Sequence, residues 1–208
     1  DFNFALNQGH GEFCRLVASP DSFERAFSLA SELLCLAWKF QIPVILLTEK
    51  HLSESLTGVR LGLSKIESAG PITSELSEGY KRYQFSDDGV SPLLFPPSNQ
   101  VIKWNSHEHE ESGLRTDQAA AVKAMKDKRQ RKEPAILEAC KKYQRVAKYG
   151  SGEKLIFAYG STVLELREAL KSLPDDYTIV SLIYLEPFPY EELEPYRGCK
   201  AMVAEHSQ

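Results

Sequence analysis

The stretch LIFAYGSTVLELREALKSLPDDYTIVSLIYL, residues 155 to 185, decides the fold. It begins with the short apolar run of a buried strand, which ends in a Gly turn. Residues 162 to 172 then repeat apolar positions at helical spacing, and residues 178 to 185 are a second apolar run. A short helix around 191 to 196 and a strand over 200 to 205 continue the pattern. This β-α-β-α-β order predicts parallel strands with right-handed crossovers, and therefore an α/β fold.

A second α/β unit is predicted near the amino terminus. Residues 21 to 40 carry apolar side chains at helical spacing, and we expect the stripe led by Phe23, Phe27 and Trp38 to lie in the core. The apolar run VILLT, residues 44 to 48, follows as a buried strand. Helix and strand therefore recur at both ends of the chain.

The middle of the chain has a weaker pattern, with Gly and Pro punctuating brief apolar stretches. YKRYQF, residues 80 to 85, is predicted as an exposed strand, and residues 118 to 132 as a helix. The second half of that helix, KAMKDKRQRK (123 to 132), holds six cations and one Asp. A solvated helix is the simpler interpretation of this basic run, and phosphate binding is the alternative.

Composition excludes several classes of protein. The 208 residues are 42% hydrophobic, which suffices for one large core or two small ones, and the formal charge of -4 gives no general attraction to nucleic acid or to anionic membranes. Cys14, Cys35, Cys140 and Cys199 form no C-x-x-C pair, so no metal motif or disulfide framework is predicted. No apolar run reaches a membrane span and no secretion signal opens the chain. We therefore expect a reduced, cytoplasmic protein, and, because the chain starts at Asp1, an internal piece of a longer one.

The strongest candidate for a functional site is QGHGEF, residues 8 to 13. Two glycines around His10 let the backbone approach a ligand closely, and an imidazole is suited to proton transfer or to binding a carboxylate. His10, Gly11, Glu12 and Phe13 are therefore predicted to lie beside a cofactor or substrate. The alternative is a tight turn that leads into a strand.

Two further groups are weaker candidates. Gly160, Ser161 and Thr162 stand between a strand and a helix, where backbone N–H groups attract anions, although an ordinary N-cap is the simpler interpretation. The residues HEHEE, 107 to 111, have the composition of a metal site but lack distant ligands at defined spacing. We expect a polar loop there, with no metal, in which Glu108, Glu110 and Glu111 contact backbone N–H groups or cations such as Arg115 and Lys123.

Several stretches in one order resemble a known family. They are QGHGEFCRLV (8 to 17), IPVILLTEKHLSES (42 to 55), YKRYQFSDDGVSPLLFP (80 to 96), EHEESGLRTD (108 to 117), MKDKRQRK (125 to 132), and LIFAYGST (155 to 162) before YLEPFP (184 to 189). Together they resemble the α subunit of the 2-oxoacid:ferredoxin oxidoreductases, of the 2-oxoglutarate synthase type.

The resemblance implies an enzyme subunit. The implied activity is the coenzyme A-dependent oxidative decarboxylation of a 2-oxoacid such as 2-oxoglutarate, with electrons passed to ferredoxin. The implied cofactors are thiamine diphosphate with Mg²⁺, held mostly by a partner β subunit, and an iron–sulfur cluster in that partner. Further small subunits are possible partners, and no nucleic acid or membrane is expected. The basic run then gains coenzyme A and the β subunit as possible ligands.

The resemblance also implies a domain organisation. Residues 1–55 would be the end of a pyrimidine-binding domain, residues 56–149 a connecting segment with the basic helix, and residues 150–208 a truncated transketolase C-terminal-like domain with a parallel sheet. Such a carboxy-terminal fragment of the α subunit is expected to be inactive alone. Two other functions stay open: a non-catalytic α/β module for subunit interaction, and a nucleotide-binding domain that uses Gly160, Ser161 and Thr162.

Overall fold

The computed structural model describes residues 2–62, 68–74, 79–173 and 176–205. The helices in these ranges are α1 (Phe2–Asn7), α2 (Phe23–Phe40), α3 (Lys50–Glu54), α4 (Ala119–Gln130), α5 (Lys132–Cys140), α6 (Thr162–Leu170) and α7 (Tyr190–Leu193). The strands are β1 (Leu16–Ala18), β2 (Val44–Leu46), β3 (Val146–Gly150), β4 (Lys154–Ala158), β5 (Tyr177–Leu182), β6 (Tyr184–Glu186) and β7 (Ala201–Val203). A 3-10 turn (Glu194–Tyr196) follows α7.

The carboxy-terminal half forms a four-stranded sheet in the order β3-β5-β4-β7. β4 runs parallel to both β5 and β7, with Ile156 opposite Ile179 on one side and Met202 on the other. The predicted α/β class with a parallel sheet is therefore confirmed. β3 pairs with β5 in the antiparallel sense and was not predicted, because Ala147 is its only fully buried position and the strand lacks an apolar run.

The apolar run 178 to 185 was predicted as one strand but contributes to two sheets. β5 ends at Leu182, and the backbone N–H groups of Ile183 and Tyr184 both donate to the Arg145 carbonyl. β6 then pairs antiparallel with β1 in a three-stranded sheet of order β2-β1-β6. The chain thus passes directly from one sheet to the other, and the predicted domain ranges stay a prediction.

The smaller sheet supplies the largest core. β1 is fully buried between β2, to which it is parallel, and β6. Helix α2 packs on it through Leu29, Leu33, Leu36 and Phe40, all at most 4% exposed. The predicted stripe was therefore wrong in part, since Trp38 is 41% exposed. The helix is apolar on more than one side, so its spacing alone did not identify the buried face.

The connection between the two units differs from prediction at residues 80 to 85 and agrees with it at the basic helix. Residues 80 to 85 form a turn and not a strand, with the Tyr83 N–H donating to the Glu111 carbonyl. The predicted basic helix is present as α4, and a second helix, α5, begins directly after Arg131. Pro134 lies in the first turn of α5, where a missing N–H is tolerated.

Over the ranges that the structure describes, none of the helices combines the length and the apolar character that a membrane crossing requires.

Candidate functional site

The predicted stretch Gln8 to Phe13 is a loop between α1 and β1. Gly9 and Gly11 adopt positive φ angles of 103° and 84°, a conformation that glycine accepts without strain. A Cβ atom on Gly9 would lie 3.1 Å from Cζ of Phe13, so the ring packs directly against the glycine backbone. Both glycines are therefore required by the backbone path that presents His10.

Arg15 holds this loop against α1. Its guanidinium donates to the carbonyls of Ala5, at 3.1 Å, and Gln8, at 2.7 Å, and lies 4.4 Å from the centre of the Phe13 ring. These carbonyls lie at the end of a helix, where a cation is favourable. The loop is thus tied down at its base while its tip is exposed.

The loop forms one wall of an open cavity of about 590 Å³. Three of the four residues predicted to lie beside a cofactor or substrate, Gly11, Glu12 and Phe13, line this cavity. The fourth, His10, is exposed and is not among the lining residues. The opposite walls come from the α4–α5 junction, through Arg129 and Glu133, and from Glu186 and Pro187 after β6. The cavity has the size of a small-molecule site.

Two carboxyl groups of this cavity, Glu133 and Glu186, have no local signal in the sequence that marks them as site residues. Burial, and then the nearby Glu133, raise the pKa of the Glu186 carboxyl above its ordinary value, while Arg15 opposes the shift. Burial, followed by Glu133, likewise raises the pKa of the Cys14 thiol. A carboxyl that retains its proton more readily can donate a hydrogen bond or a proton to a ligand. Glu186 lies in the YLEPFP stretch (184 to 189), directly before Pro187.

Glu12 is held from across the cavity rim. Its carboxylate accepts from the Lys126 ammonium at 2.5 Å, which lowers the pKa of Glu12. Both side chains are exposed, so the pair adds little to stability. Its effect is to connect the loop to α4.

Gly160, Ser161 and Thr162 lie at the turn from β4 into α6, and Ser161 is the N-cap residue without a capping side-chain hydrogen bond. The Ser161 hydroxyl instead donates to the Glu49 carboxylate. A Cβ on Gly160, whose φ is +66°, would lie 2.6 Å from that carboxylate. The turn therefore holds an anionic group of the protein itself.

The HEHEE cluster is a polar loop with ion pairs. Glu108 accepts two hydrogen bonds from Arg129, and Glu111 accepts from the Phe85 N–H and from Lys81. The expected contacts with backbone N–H groups and cations are confirmed for Glu108 and Glu111. The cations are Arg129 and Lys81, and Lys123, one of the two examples expected, pairs with Asp127. His109 stacks on Tyr83 at 3.6 Å between ring centres. Among the described residues, no group of three or more His, Cys, Asp or Glu has the geometry to hold a metal ion.

The basic run is not a uniformly solvated helix. Lys128 and Lys132 are buried, and their ammonium groups donate to the backbone carbonyls of Tyr83 and of Phe40 and Gln41 respectively. Burial, reinforced by neighbouring cations, lowers the pKa of each to about 8. Helices α4 and α5 therefore each bury a charged side chain, which the charge pattern of the sequence did not indicate.

These two lysines predict an unusual pH dependence of stability. Between pH 8 and 9.5 the unfolded chain keeps both protons, since the ordinary pKa is 10.5, whereas the folded chain releases them near pH 8. Raising the pH through this window therefore adds at most about 1.4 kcal/mol per pH unit to the free energy of unfolding for each lysine. Burial raises the pKa of the Cys14 and Cys140 thiols, and these two groups act in the opposite sense towards the upper end of the window. Urea unfolding at pH 7.5, 8.5 and 9.5 measures the increase.

A matched pair of variants assigns the effect. Lys128→Met should reduce the increase, whereas Lys123→Met, on the exposed side of the same helix, should leave it unchanged. The buried thiols oppose the lysines equally in every variant, so the comparison between variants carries the test. The same dependence of stability on pH for Lys128→Met and Lys123→Met contradicts the assignment.

The fold and the cavity together define an α/β chain with a small-molecule cleft beside its smaller sheet. Among solved structures, the 2-oxoglutarate:ferredoxin oxidoreductase from Magnetococcus marinus, with 2-oxoglutarate, coenzyme A and succinyl-CoA bound, has the same fold. The TM-score is 0.76 and the sequence identity 25%, and the match covers 96% of this chain and 36% of that chain.

Sequence relatives narrow the class. Subunit alpha of 2-oxoacid:ferredoxin oxidoreductase 1 from Sulfurisphaera tokodaii is 32% identical over 195 residues, and the corresponding subunit from Saccharolobus solfataricus is 29% identical over 199 residues. Each match covers 91% of this chain and 31% of the relative, so the chain spans about a third of the length of the curated relatives it matches. No family model matches the chain. The chain is homologous to the α subunits of 2-oxoacid:ferredoxin oxidoreductases, and the predicted resemblance is confirmed.

Proposed function

We propose that this chain is part of the α subunit of a thiamine-diphosphate-dependent 2-oxoacid:ferredoxin oxidoreductase. The reaction is the oxidative decarboxylation of a 2-oxoacid such as 2-oxoglutarate, with transfer of the acyl group to coenzyme A and of electrons to ferredoxin. The single observation that carries the proposal is the match to α subunits over 91% of the chain. The 2-oxoglutarate and coenzyme A bound to the M. marinus enzyme support the choice of substrates.

The residues present fit a place at the edge of the cofactor. The cavity beside Gly11, Glu12 and Phe13 offers backbone, an aromatic ring and the Glu186 carboxyl, whose pKa burial raises. No three-ligand metal group occurs in the described ranges, and a partner β subunit is proposed to hold Mg²⁺ and the diphosphate. When bound, thiamine diphosphate supplies the electron sink for loss of CO₂. The chain's own loop would close one side of the site and exclude water from it.

The two alternative functions, nucleotide binding at Gly160 to Thr162 and non-catalytic subunit packing, differ in how well the structure supports them. The Glu49 carboxylate beside Gly160 and Ser161 would repel a phosphate, so nucleotide binding at that turn loses support. A role in subunit packing is favoured by the outer side of α2, where Leu34 is 60% and Trp38 41% exposed. Such packing is compatible with an enzyme subunit. A cytoplasmic location stays a prediction.

Purification tests the proposed assembly. The polypeptide that carries these residues is isolated from its source through an affinity tag, together with the subunits that accompany it. We expect iron, acid-labile sulfide and thiamine diphosphate in the purified material. A preparation without thiamine diphosphate and without a partner chain contradicts the proposal.

His10→Ala tests the loop. In the assembled enzyme we expect kcat/KM for the 2-oxoacid to fall by roughly tenfold to a hundredfold, the range in which a lost proton-transfer or carboxylate contact is felt. Thiamine diphosphate content and thermal stability should not change, because His10 is exposed at a loop tip. His51→Ala is the control, since the His51 side chain is also exposed and its Nδ1 lies 3.5 Å from the Glu165 carboxylate. Unchanged kinetics of His10→Ala would remove this residue from the site.

A further inference from the structure

A second cavity, of about 150 Å³, lies between the loop that carries Arg82 and the buried face of α4 and α5. Four cationic side chains line it: Arg82, Lys128, Arg129 and Lys132. Within the described ranges no acidic side chain is among the lining residues. The wall of this cavity is therefore strongly positive.

The cations are buried to a degree that is rare for charged side chains. Arg82 is 8% exposed, Lys128 5% and Lys132 9%. Arg129 has a carboxylate partner, Glu108, but the ion pairs of the described residues include none for the other three. Glu111 acts on Lys128 and Asp88 on Lys132 from outside ion-pair distance, so three buried cations are compensated only in part. Buried charge without a close partner costs free energy, which a bound anion would reduce.

The lysines have hydrogen-bond donors to spare. Lys128 donates to the Tyr83 carbonyl and to the Ser91 hydroxyl, and Lys132 donates to the carbonyls of Phe40 and Gln41. An ammonium group carries three N–H bonds, so each lysine keeps one that these neutral acceptors do not use.

Arg82 points to a ligand independently of the lysines. One terminal nitrogen donates to the Gln41 side chain at 2.9 Å, and the guanidinium lies 4.5 Å from the centre of the Trp104 ring. Its Nε–H is buried without any hydrogen-bond partner, as is Nδ1 of His109 on the same cavity. A buried guanidinium N–H without an acceptor is exceptional in folded proteins.

We propose that this cavity binds a small tetrahedral oxyanion of the phosphate and sulfate class. The ion accepts from Arg82 Nε and from the spare N–H bonds of Lys128 and Lys132. The volume is about five times the share of one water molecule, which accommodates an ion of five heavy atoms but is too small to enclose a whole nucleotide. Arg129 lines both this cavity and the cavity of Gly11 to Phe13, but the three cations proposed to bind the ion line this cavity alone. The proposal does not depend on the proposed activity.

Direct binding of inorganic phosphate tests the site. The polypeptide that carries these residues is titrated calorimetrically with phosphate and with sulfate against chloride at equal ionic strength. We expect saturable binding of one ion of either kind at this site. Crystals soaked in selenate, a sulfate isostere with anomalous scattering, should place the ion between Arg82 and Lys128. No saturable binding, or an ion located only elsewhere, overturns the proposal.

Variants assign the binding to Arg82. Arg82→Gln should raise the phosphate Kd roughly tenfold or more, because one charge-assisted hydrogen bond is lost. Lys123→Gln removes an exposed charge from α4, the helix that carries Lys128, and should leave the phosphate Kd unchanged. Equal Kd values for a folded Arg82→Gln variant and the wild type contradict the site. If Arg82→Gln does not fold, the selenate position decides.

Competition distinguishes the two sources of such an anion. If the ligand is the phosphate group of a larger molecule whose body lies outside the cavity, AMP displaces phosphate at a lower concentration than phosphate itself requires. If the ligand is the free ion, AMP does not compete. Either outcome follows from the same oxyanion chemistry.

Discussion

Replacing Asp21 with Ala is expected to lower the free energy of unfolding by about 3 to 5 kcal/mol, the range for breaking a buried, hydrogen-bonded ionic group. The Asp21 side chain is fully buried just before α2. One oxygen accepts from Arg25 Nε at 3.1 Å. The other accepts from the hydroxyls of Tyr149, on β3, and Ser181, on β5, both at 2.8 Å. This carboxylate therefore joins the start of α2 to the sheet that contains β3 and β5.

Two controls separate this network from a general effect of charge. Asp21→Asn keeps one acceptor oxygen and should lose less stability than Asp21→Ala. Asp127→Ala removes an exposed carboxylate that pairs with Lys123, and should change stability by less than about 1 kcal/mol. Urea unfolding measures all three variants. An Asp21→Ala variant as stable as Asp127→Ala would show that the two units do not depend on this contact.

Gly89→Ala is the second large effect, with an expected loss of roughly 3 kcal/mol or more. Gly89 has a φ of +77°, where an L-residue is strained by about 1 to 2 kcal/mol. An added Cβ would also lie 2.3 Å from the Lys128 carbonyl, a backbone atom that cannot move aside without displacing α4. The substitution should therefore disturb the cavity of Arg82 and Lys128 as well.

Gly198→Ala is the matched control for Gly89→Ala. Gly198 has a φ of +80°, and no atom lies within 4 Å of an added Cβ. Its substitution carries the conformational strain alone, so a loss of about 1 to 2 kcal/mol is expected. The difference between the two variants in urea unfolding isolates the steric term. Equal losses would mean that the approach of Gly89 to α4 does not constrain the fold.

The sequence predicted those elements whose apolar pattern is local. β4, α6 and β5 each follow an uninterrupted periodicity, and they lie where the pattern placed them. Helix α2 was found for the same reason, but its buried face was not, because Trp38 and Leu36 are equally apolar and only tertiary packing distinguishes them. The division of residues 178 to 185 between two sheets likewise depends on a partner, Arg145, that is distant in sequence.

The residues of the candidate site likewise fall into those with a local signal in the sequence and those without one. Gly9 and Gly11 were recognised because glycine around a histidine has a local conformational meaning, and the structure places both at positive φ. Glu186 and Glu133 were not, since a carboxyl acquires its role from burial and from the second carboxyl nearby. Lys128 and Lys132 were likewise not recognised. The sequence indicated only that they belong to a charged helix, whereas the structure buries them beneath loop 80–91. Burial and shifted pKa values that arise from contact between distant segments cannot be predicted from one sequence.

The central claim is that this chain contributes to 2-oxoacid oxidation, and turnover tests it most directly. The assembly purified through the tagged polypeptide is supplied with 2-oxoglutarate, coenzyme A and oxidised ferredoxin, and ferredoxin reduction is followed by absorbance. We expect ferredoxin reduction that requires both the 2-oxoacid and coenzyme A, and a panel of other 2-oxoacids then defines the substrate. An assembly that contains thiamine diphosphate and an iron–sulfur cluster yet reduces ferredoxin with none of these 2-oxoacids would contradict it.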